Sequence, residues 1–339
     1  YYSLVILFIL LEVHYLSIYV ALVVTKIVKI LAIRFSFRRI YGNSISFGSK
    51  NSVNKIRNRE YVLFSEISHG LIATSPVIIL SFLYNLSYVS VYSIYLAVYS
   101  LLNSVSSSVY NGIGASFGNL VASEGEKQVS LIFNRFQFVF YYFGAWLYST
   151  ALFLFLPFIT LFTKYFKEID YFNPLLAIMF IIYGVSNCSR VPFNILSSSY
   201  GIFKETYMQQ TLFAVLSVLL STVFGMVSMP LILVGPIIFY LSITVYQKRV
   251  LNRKFYFIDT SNTYKRLTVM VFCILLSGMF YILILPNPIN WFRWISIAFV
   301  FAIICAFVLL VFAYITERRV LNELVLVIKK LISNKEVQN

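Results

Sequence analysis

Ionisable side chains are sparse in this sequence, and those that fall inside apolar runs are the groups that could do chemistry. Arg190 lies in the run from 172 to 195, with Asn187, Asn194 and Ser198 recurring beside it every three or four positions. That spacing puts all four on one helix face, continued past Pro192, where a backbone hydrogen bond is lost and the helix is expected to bend. A guanidinium on such a face can hold a pyrophosphate through paired hydrogen bonds. It can equally be a basic residue whose long stem carries its charge to the membrane surface. Glu66 and His69 stand one turn apart near the start of the run 62 to 84, where they can share a proton or a substrate contact, or simply occupy an interfacial helix start. Glu12 lies within the run 4 to 25, and His14, two residues on, falls on roughly the opposite side of a helix. An ionisable residue at membrane depth is costly, so each of these is a functional candidate.

Neutral polar residues form longer stripes. Ser93, Ser100, Asn103, Ser107, Asn111, Gly114 and Gly118 follow one face of the run 88 to 121; Tyr207, Gln210, Ala214, Ser217 and Ser221 follow one face of 207 to 225; Ala73 and Pro76 continue the side of Glu66 and His69. Such stripes have two readings. Small and hydroxyl-bearing residues let helices approach and hydrogen-bond, and the same residues can line a wet cavity suited to the hydroxyls of a sugar. The runs 267 to 285 and 294 to 315 offer little beyond Ser277 and Ser296 and are expected to face lipid, with the striped helices surrounding something polar.

The elements that must position these residues follow from composition. Of 339 residues, 60% are hydrophobic and 12% charged, about half the charge of an ordinary soluble domain. A helix needs roughly 20 apolar residues to cross about 30 Å of hydrocarbon. Such runs occur at 4–25, 62–84, 88–121, 136–160, 172–195, 207–225, 230–246, 267–285 and 294–315. They are continuous rather than alternating and too long for barrel strands, so the expected fold is all-α, a polytopic bundle of about nine membrane helices.

Lysine and arginine orient the bundle, because cytoplasmic connections collect them. All but three of the 27 fall on one set of alternate connections; Lys164, Lys167 and Arg293 fall on the other. The C-terminus is thereby expected in the cytoplasm. The start of the first helix is expected outside, as if an odd number of helices preceded it, and the opening Tyr1-Tyr2-Ser3-Leu4 is read as that of a fragment. Anionic lipid at the cytoplasmic face accounts for the net charge of +15, so no nucleic-acid partner is implied. The longest connection, 26–61, opens on the basic stretch Lys26 to Arg34, read as an interfacial amphipathic helix, and continues through a Ser/Asn/Gly-rich linker. The expected layout is a helix at 1–25, that linker, six helices over 62–246, a basic loop at 247–266, a helix pair over 267–316 and a tail at 317–339.

Several functions are disfavoured. The outward connections are short and hold only Glu168 and Asp170 as acids, too little for the outward catalytic loops of a membrane glycosyltransferase or polymerase. Neither a phosphate-binding loop, a zinc-protease helix nor a nucleophile elbow is present. Cys188, Cys273 and Cys305 all lie in apolar runs and the two histidines are far apart, so neither disulfides, a metal nor a cofactor is expected, and the chain is not read as an enzyme.

Residues 90–127 carry a resemblance. Val91-Tyr92-Ser93 after a short outward turn, a long Ser/Asn-rich helix, Gly118-Asn119 and the acidic loop Glu124-Gly125-Glu126-Lys127 are similar to a stretch of the Wzx-type oligosaccharide flippases, in the superfamily that also holds the MATE antiporters. The family often has a proline before that Gly-Asn, where this chain has Ser116-Phe117. The resemblance implies a two-lobed fold of twelve or fourteen helices, with 4–25 as the sixth, 62–246 as the second lobe and 267–316 as helices thirteen and fourteen. It implies transport of a polyprenyl-pyrophosphate-linked oligosaccharide across the cytoplasmic membrane of a prokaryote by alternating access. A polysaccharide polymerase and chain-length machinery would be further partners, beside membrane lipids. Arg190 is the residue here that matches the basic cavity residues of the family. A cation or drug antiporter is the leading alternative, and it would need deep carboxylates.

Overall fold

The computed structural model describes residues 16–41, 59–166, 168–258, 260–284 and 290–336, and every regular element among them is a helix. The chain divides into two compact units, 1–57 and 58–339. In the first, one helix is described, α1 (Leu16–Tyr41). It runs unbroken from the apolar stretch into the basic one, with Lys26, Lys29, Arg34, Arg38 and Arg39 spread around it rather than gathered on a face. Glu12, His14 and the linker from 42 to 58 lie outside the described residues.

The second unit holds α2 (Arg59–Leu83), α3 (Leu86–Ser123), α4 (Glu126–Phe162), α5 (Pro174–Ser199), α6 (Phe203–Val227), a 3-10 turn at Met229–Leu233, α7 (Val234–Lys254), α8 (Thr263–Ile284) and α9 (Trp291–Glu336). Among the described residues, eight helical stretches are long and apolar enough to cross a membrane, and each span expected from residue 62 onward falls on one of them. The chain is an all-α, multi-pass membrane bundle.

Helix boundaries follow local chemistry. Asn85 caps α3 by accepting from the Tyr88 amide at 3.3 Å, and Asn173 caps α5 by accepting from Leu176 at 3.0 Å, with Pro174 in the first turn. Both patterns satisfy amides that a helix start leaves open. The Tyr95 hydroxyl donates to the Tyr171 carbonyl and accepts from the Asn173 amide, each at 2.9 Å, which ties the loop before α5 to α3. Gly201, at φ 66°, makes the left-handed turn from α5 into α6.

The most buried helix is α4, which packs against α3, α5, α8 and α9. Its aromatic residues Phe133, Phe136, Phe140, Tyr141 and Tyr148 are all in the core. On the other side of α5, α6 and α7 meet at Gly235, where an added Cβ would run into the Ser217 carbonyl and the Ser221 hydroxyl. Ala214, Ser217 and Ser221 are buried there, so this stripe of α6 is helix contact rather than cavity lining.

Helices α8 and α9 lie at the periphery and turn rows of Phe, Leu and Ile outward, among them Phe272, Leu275, Ile282, Phe299, Ile303 and Phe307. Their tie to α4 is polar. Arg266 falls in the stretch expected to be a basic loop, but it stands in the first turns of α8 and is 1% exposed. Its Nε donates to Glu317 at 2.9 Å and its Nη2 at 2.5 Å; it also donates to the Asn134 carbonyl at 3.0 Å, the Asn134 side chain at 2.7 Å and Gln137 at 3.0 Å. Glu317 leaves helical geometry (φ −141°, ψ 45°) and breaks α9 at this point. Lys265 covers the adjacent Thr316 carbonyl at 2.5 Å. Such a pair costs desolvation to form but leaves an uncompensated charge when halved, a loss of about 3–5 kcal/mol. Glu317→Leu alone is therefore expected to lower the melting temperature of the detergent-solubilised protein strongly, and Arg266→Met with Glu317→Leu to restore most of it. A double variant as unstable as the single one would show that the network does more than balance charge.

Candidate functional site

The polar face of α5 is the only place among the described residues where sequence candidates from three helices converge. Starting at Asn187, its amide donates to the Asn103 side chain of α3 at 3.1 Å, while its own oxygen is buried without a hydrogen-bond partner. Ser189, on the adjoining side, lies 3.1 Å from the Thr244 hydroxyl of α7. Arg190 points between α2 and α7: its Nη1 is 3.2 Å from His69 Nε2, and its guanidinium sits 5.3 Å from the centre of the Tyr240 ring. One turn on, Asn194 donates to the Tyr110 hydroxyl of α3 at 3.4 Å and accepts from Gln247 of α7 at 3.5 Å. The face thus meets α2, α3 and α7 within two helical turns.

Arg190 is set back along its helix. It lies nine residues before the end of α5, which at 1.5 Å per residue is roughly 13 Å from that end. Its Nε is buried and makes no hydrogen bond. A guanidinium has five N–H donors and no acceptor, and no carboxylate among the described residues forms an ion pair with it. The residue as a whole is half-buried, so its guanidinium is partly withdrawn from its surroundings while donors beyond the one bonded to His69 stay open. The arrangement favours an anion that can take the remaining donors.

The other candidates fall elsewhere. Glu66 is exposed and makes no ion pair among the described residues; it does not meet His69, whose ring stacks near Tyr240 at 6.4 Å and meets Phe239 edge-on at 5.6 Å. Gln210 is 2% exposed and accepts from Ser65 at 2.5 Å, so it joins α6 to α2 and is no cavity group. Along α3, Asn103 and Ser107 are half-buried while Ser93, Ser100 and Asn111 are exposed. Ser93 and Ser107 satisfy their hydroxyls on their own helix, at Val89 (2.8 Å) and Ser104 (3.0 Å), a bond that suits either a wet or a dry surface. Glu12 lies outside the described residues.

Sequence reasoning missed α7. Tyr240, Thr244 and Gln247, at i, i+4 and i+7, form a stripe as regular as those singled out; the run 230–246 hid it because Tyr and Thr blend into an apolar segment and Gln247 falls just past its end. A second polar concavity, about 730 Å3, opens beside Arg266 and is lined by Glu126, Lys127, Lys265, Arg319 and Glu323 among others. Its charges alternate in sign and Glu323 is paired with Arg135 and Arg319, so it has no single ligand charge to recommend. Among the described residues no group of His, Cys, Asp and Glu could hold a metal ion. No known protein-family model, curated protein or solved structure matches the chain.

The two asparagines of α3 separate packing from exposure. Asn103→Leu removes the partner of the half-buried Asn187 amide and is expected to cost about 0.5–1.5 kcal/mol in thermal unfolding, whereas Asn111→Leu is expected to leave the melting temperature unchanged. Equal effects would mean that the Asn103–Asn187 bond contributes nothing to the fold.

Proposed function

We propose that this bundle is one lobe of a flippase that moves a polyprenyl-pyrophosphate-linked oligosaccharide from the cytoplasmic to the outer leaflet of a prokaryotic inner membrane. The observation that carries the reading is Arg190: a guanidinium within the bundle, one donor buried without an acceptor, framed by the amides of Asn187 and Asn194 and the aromatic face of Tyr240. A cation for the pyrophosphate and amides for sugar hydroxyls are the groups such a substrate needs. Arg190 lies toward the end of α5 that leads to Lys204, and lysines and arginines collect on cytoplasmic connections. The headgroup would therefore be met from the cytoplasmic side, with the C-terminus on that side too. Alternating access around a polar site fits helices that bury polar faces at membrane depth, and the resemblance of residues 90–127 to Wzx-type exporters points the same way.

A cation-coupled drug antiporter of MATE type is supported less well. Its coupling site would want a free carboxylate at depth, and Glu317, the buried acid among the described residues, is held by Arg266. An enzyme of the glycosyltransferase or polymerase kind has no carboxylate pair to work with in the Arg190 site. Expression in a bacterial strain lacking its own oligosaccharide flippase, with surface polysaccharide as the readout, tests the reading. Arg190→Ala is expected to lower export by about 30-fold or more, the effect of losing a buried charge contact worth 2–5 kcal/mol, at an unchanged level in the membrane. Export as strong as that of the unaltered protein would remove Arg190 from the substrate path.

A further inference from the structure

The contact between Arg190 and His69 has a direction. A guanidinium can only donate, so the 3.2 Å bond from Arg190 Nη1 requires His69 Nε2 to be the acceptor, with the ring neutral and its proton on Nδ1. His69 therefore occupies, with a lone pair, a place at Arg190 that an anion's oxygen would take. When an anion arrives, that lone pair is displaced, and a neutral ring facing an anion through a lone pair is repelled by it. The same nitrogen carrying a proton would be a second donor to the anion beside the guanidinium.

We infer that anion binding at Arg190 is coupled to uptake of one proton by His69, so that the site takes the anion and a proton together. The inference rests on the anion reading of Arg190 and adds its coupling. The balance is simple: His69 Nε2 gives up its bond from Arg190, takes a proton from water, and donates that N–H to the anion, while Arg190 turns its freed Nη1 to the same ligand. The bound set of one dianion, Arg190 and protonated His69 is neutral. Without the anion, protonating His69 would set two cations 3.2 Å apart, so the proton and the anion each favour the other.

The surroundings of His69 hold no carboxylate in contact with its ring among the described residues. The charged or titratable groups around His69 among the described residues are Arg190 on α5, Tyr240 on α7 and, one turn back on its own helix, the exposed Glu66. Phe239 closes one side of the ring edge-on. The side of α2 against α6 carries Ser65 and Ser68, engaged with Gln210 and Thr211, which hold no charge. No carboxylate among the described residues thus competes with the anion for a proton-bearing His69.

The test uses the whole chain in lipid nanodiscs and geranyl pyrophosphate as the probe, titrated calorimetrically at pH 8, 7 and 6 against the unaltered protein, His69→Gln and Arg190→Met. Glutamine keeps an acceptor for Arg190 but does not titrate. Ionisation of the probe is common to all three proteins, so the difference between their profiles belongs to His69. The unaltered protein should gain up to about tenfold more affinity per pH unit on acidification than His69→Gln, the limit set by one linked proton, and Arg190→Met should not bind. Parallel profiles for the unaltered protein and His69→Gln would overturn the proton coupling while leaving the anion site standing. No binding by the unaltered protein at any pH would overturn both. Should His69→Gln fail to fold, the unaltered protein still answers: it contains two histidines, so ring 15N shifts at pH 7 can be followed with and without the probe. A change of the His69 ring to the imidazolium pattern is expected, and a ring that stays neutral while the probe binds would overturn the inference.

Discussion

A polar group carried into hydrocarbon must be met by another from the same protein, because no water is there to replace a missing partner. The bundle meets part of that requirement in two ways and leaves part of it open. Hydroxyls on α3 turn back onto their own helix, as Ser93 does to Val89. Pairs such as Ser65 with Gln210 and Asn103 with Asn187 close across helix contacts. The full charges are divided, with Arg266 saturated by Glu317, Asn134 and Gln137, and Arg190 left with donors to spare. The contrast between the two arginines separates a structural ion from a site: one has every donor direction filled by protein, the other does not.

The membrane helices were legible because about 20 apolar residues in a row admit few other readings. Apolar runs nevertheless understate helix length, since a helix continues into the interface. The α3 helix reaches Ser123 and carries Asn111 about 37 Å along its axis from Leu86, past the depth of hydrocarbon for an upright helix. Residues at three- and four-fold spacing share a side of a helix, but periodicity does not say what that side meets. The stripe on α6 meets α7 through Gly235, and the stripe on α5 meets three helices at once.

Pairings across helices were beyond the sequence for a plain reason: Arg190 and His69 are 121 residues apart, and Arg266 and Glu317 are 51 apart. Local spacing suggested Glu66 as the companion of His69, since both lie on α2 one turn apart. The α2 helix instead presents Ser65 and Ser68 to α6, turns His69 toward α5 and α7, and leaves Glu66 outside. A charge count likewise treats every arginine as a surface residue, which holds for Arg319 but not for Arg266.

The notch at Gly235 has a mechanical consequence. With the backbone of α7 seated against the Ser217 carbonyl and the Ser221 hydroxyl, moving α7 along α6 by one turn, about 5.4 Å, would bring the side chain of Ile238 or Phe239 toward that carbonyl. The two helices can part or travel together, but a one-turn slide is opposed by that clash. Because α7 carries Tyr240, Thr244 and Gln247, a register shift that would move these groups along the Arg190 face is resisted on the far side of α7, at Gly235, away from the face itself.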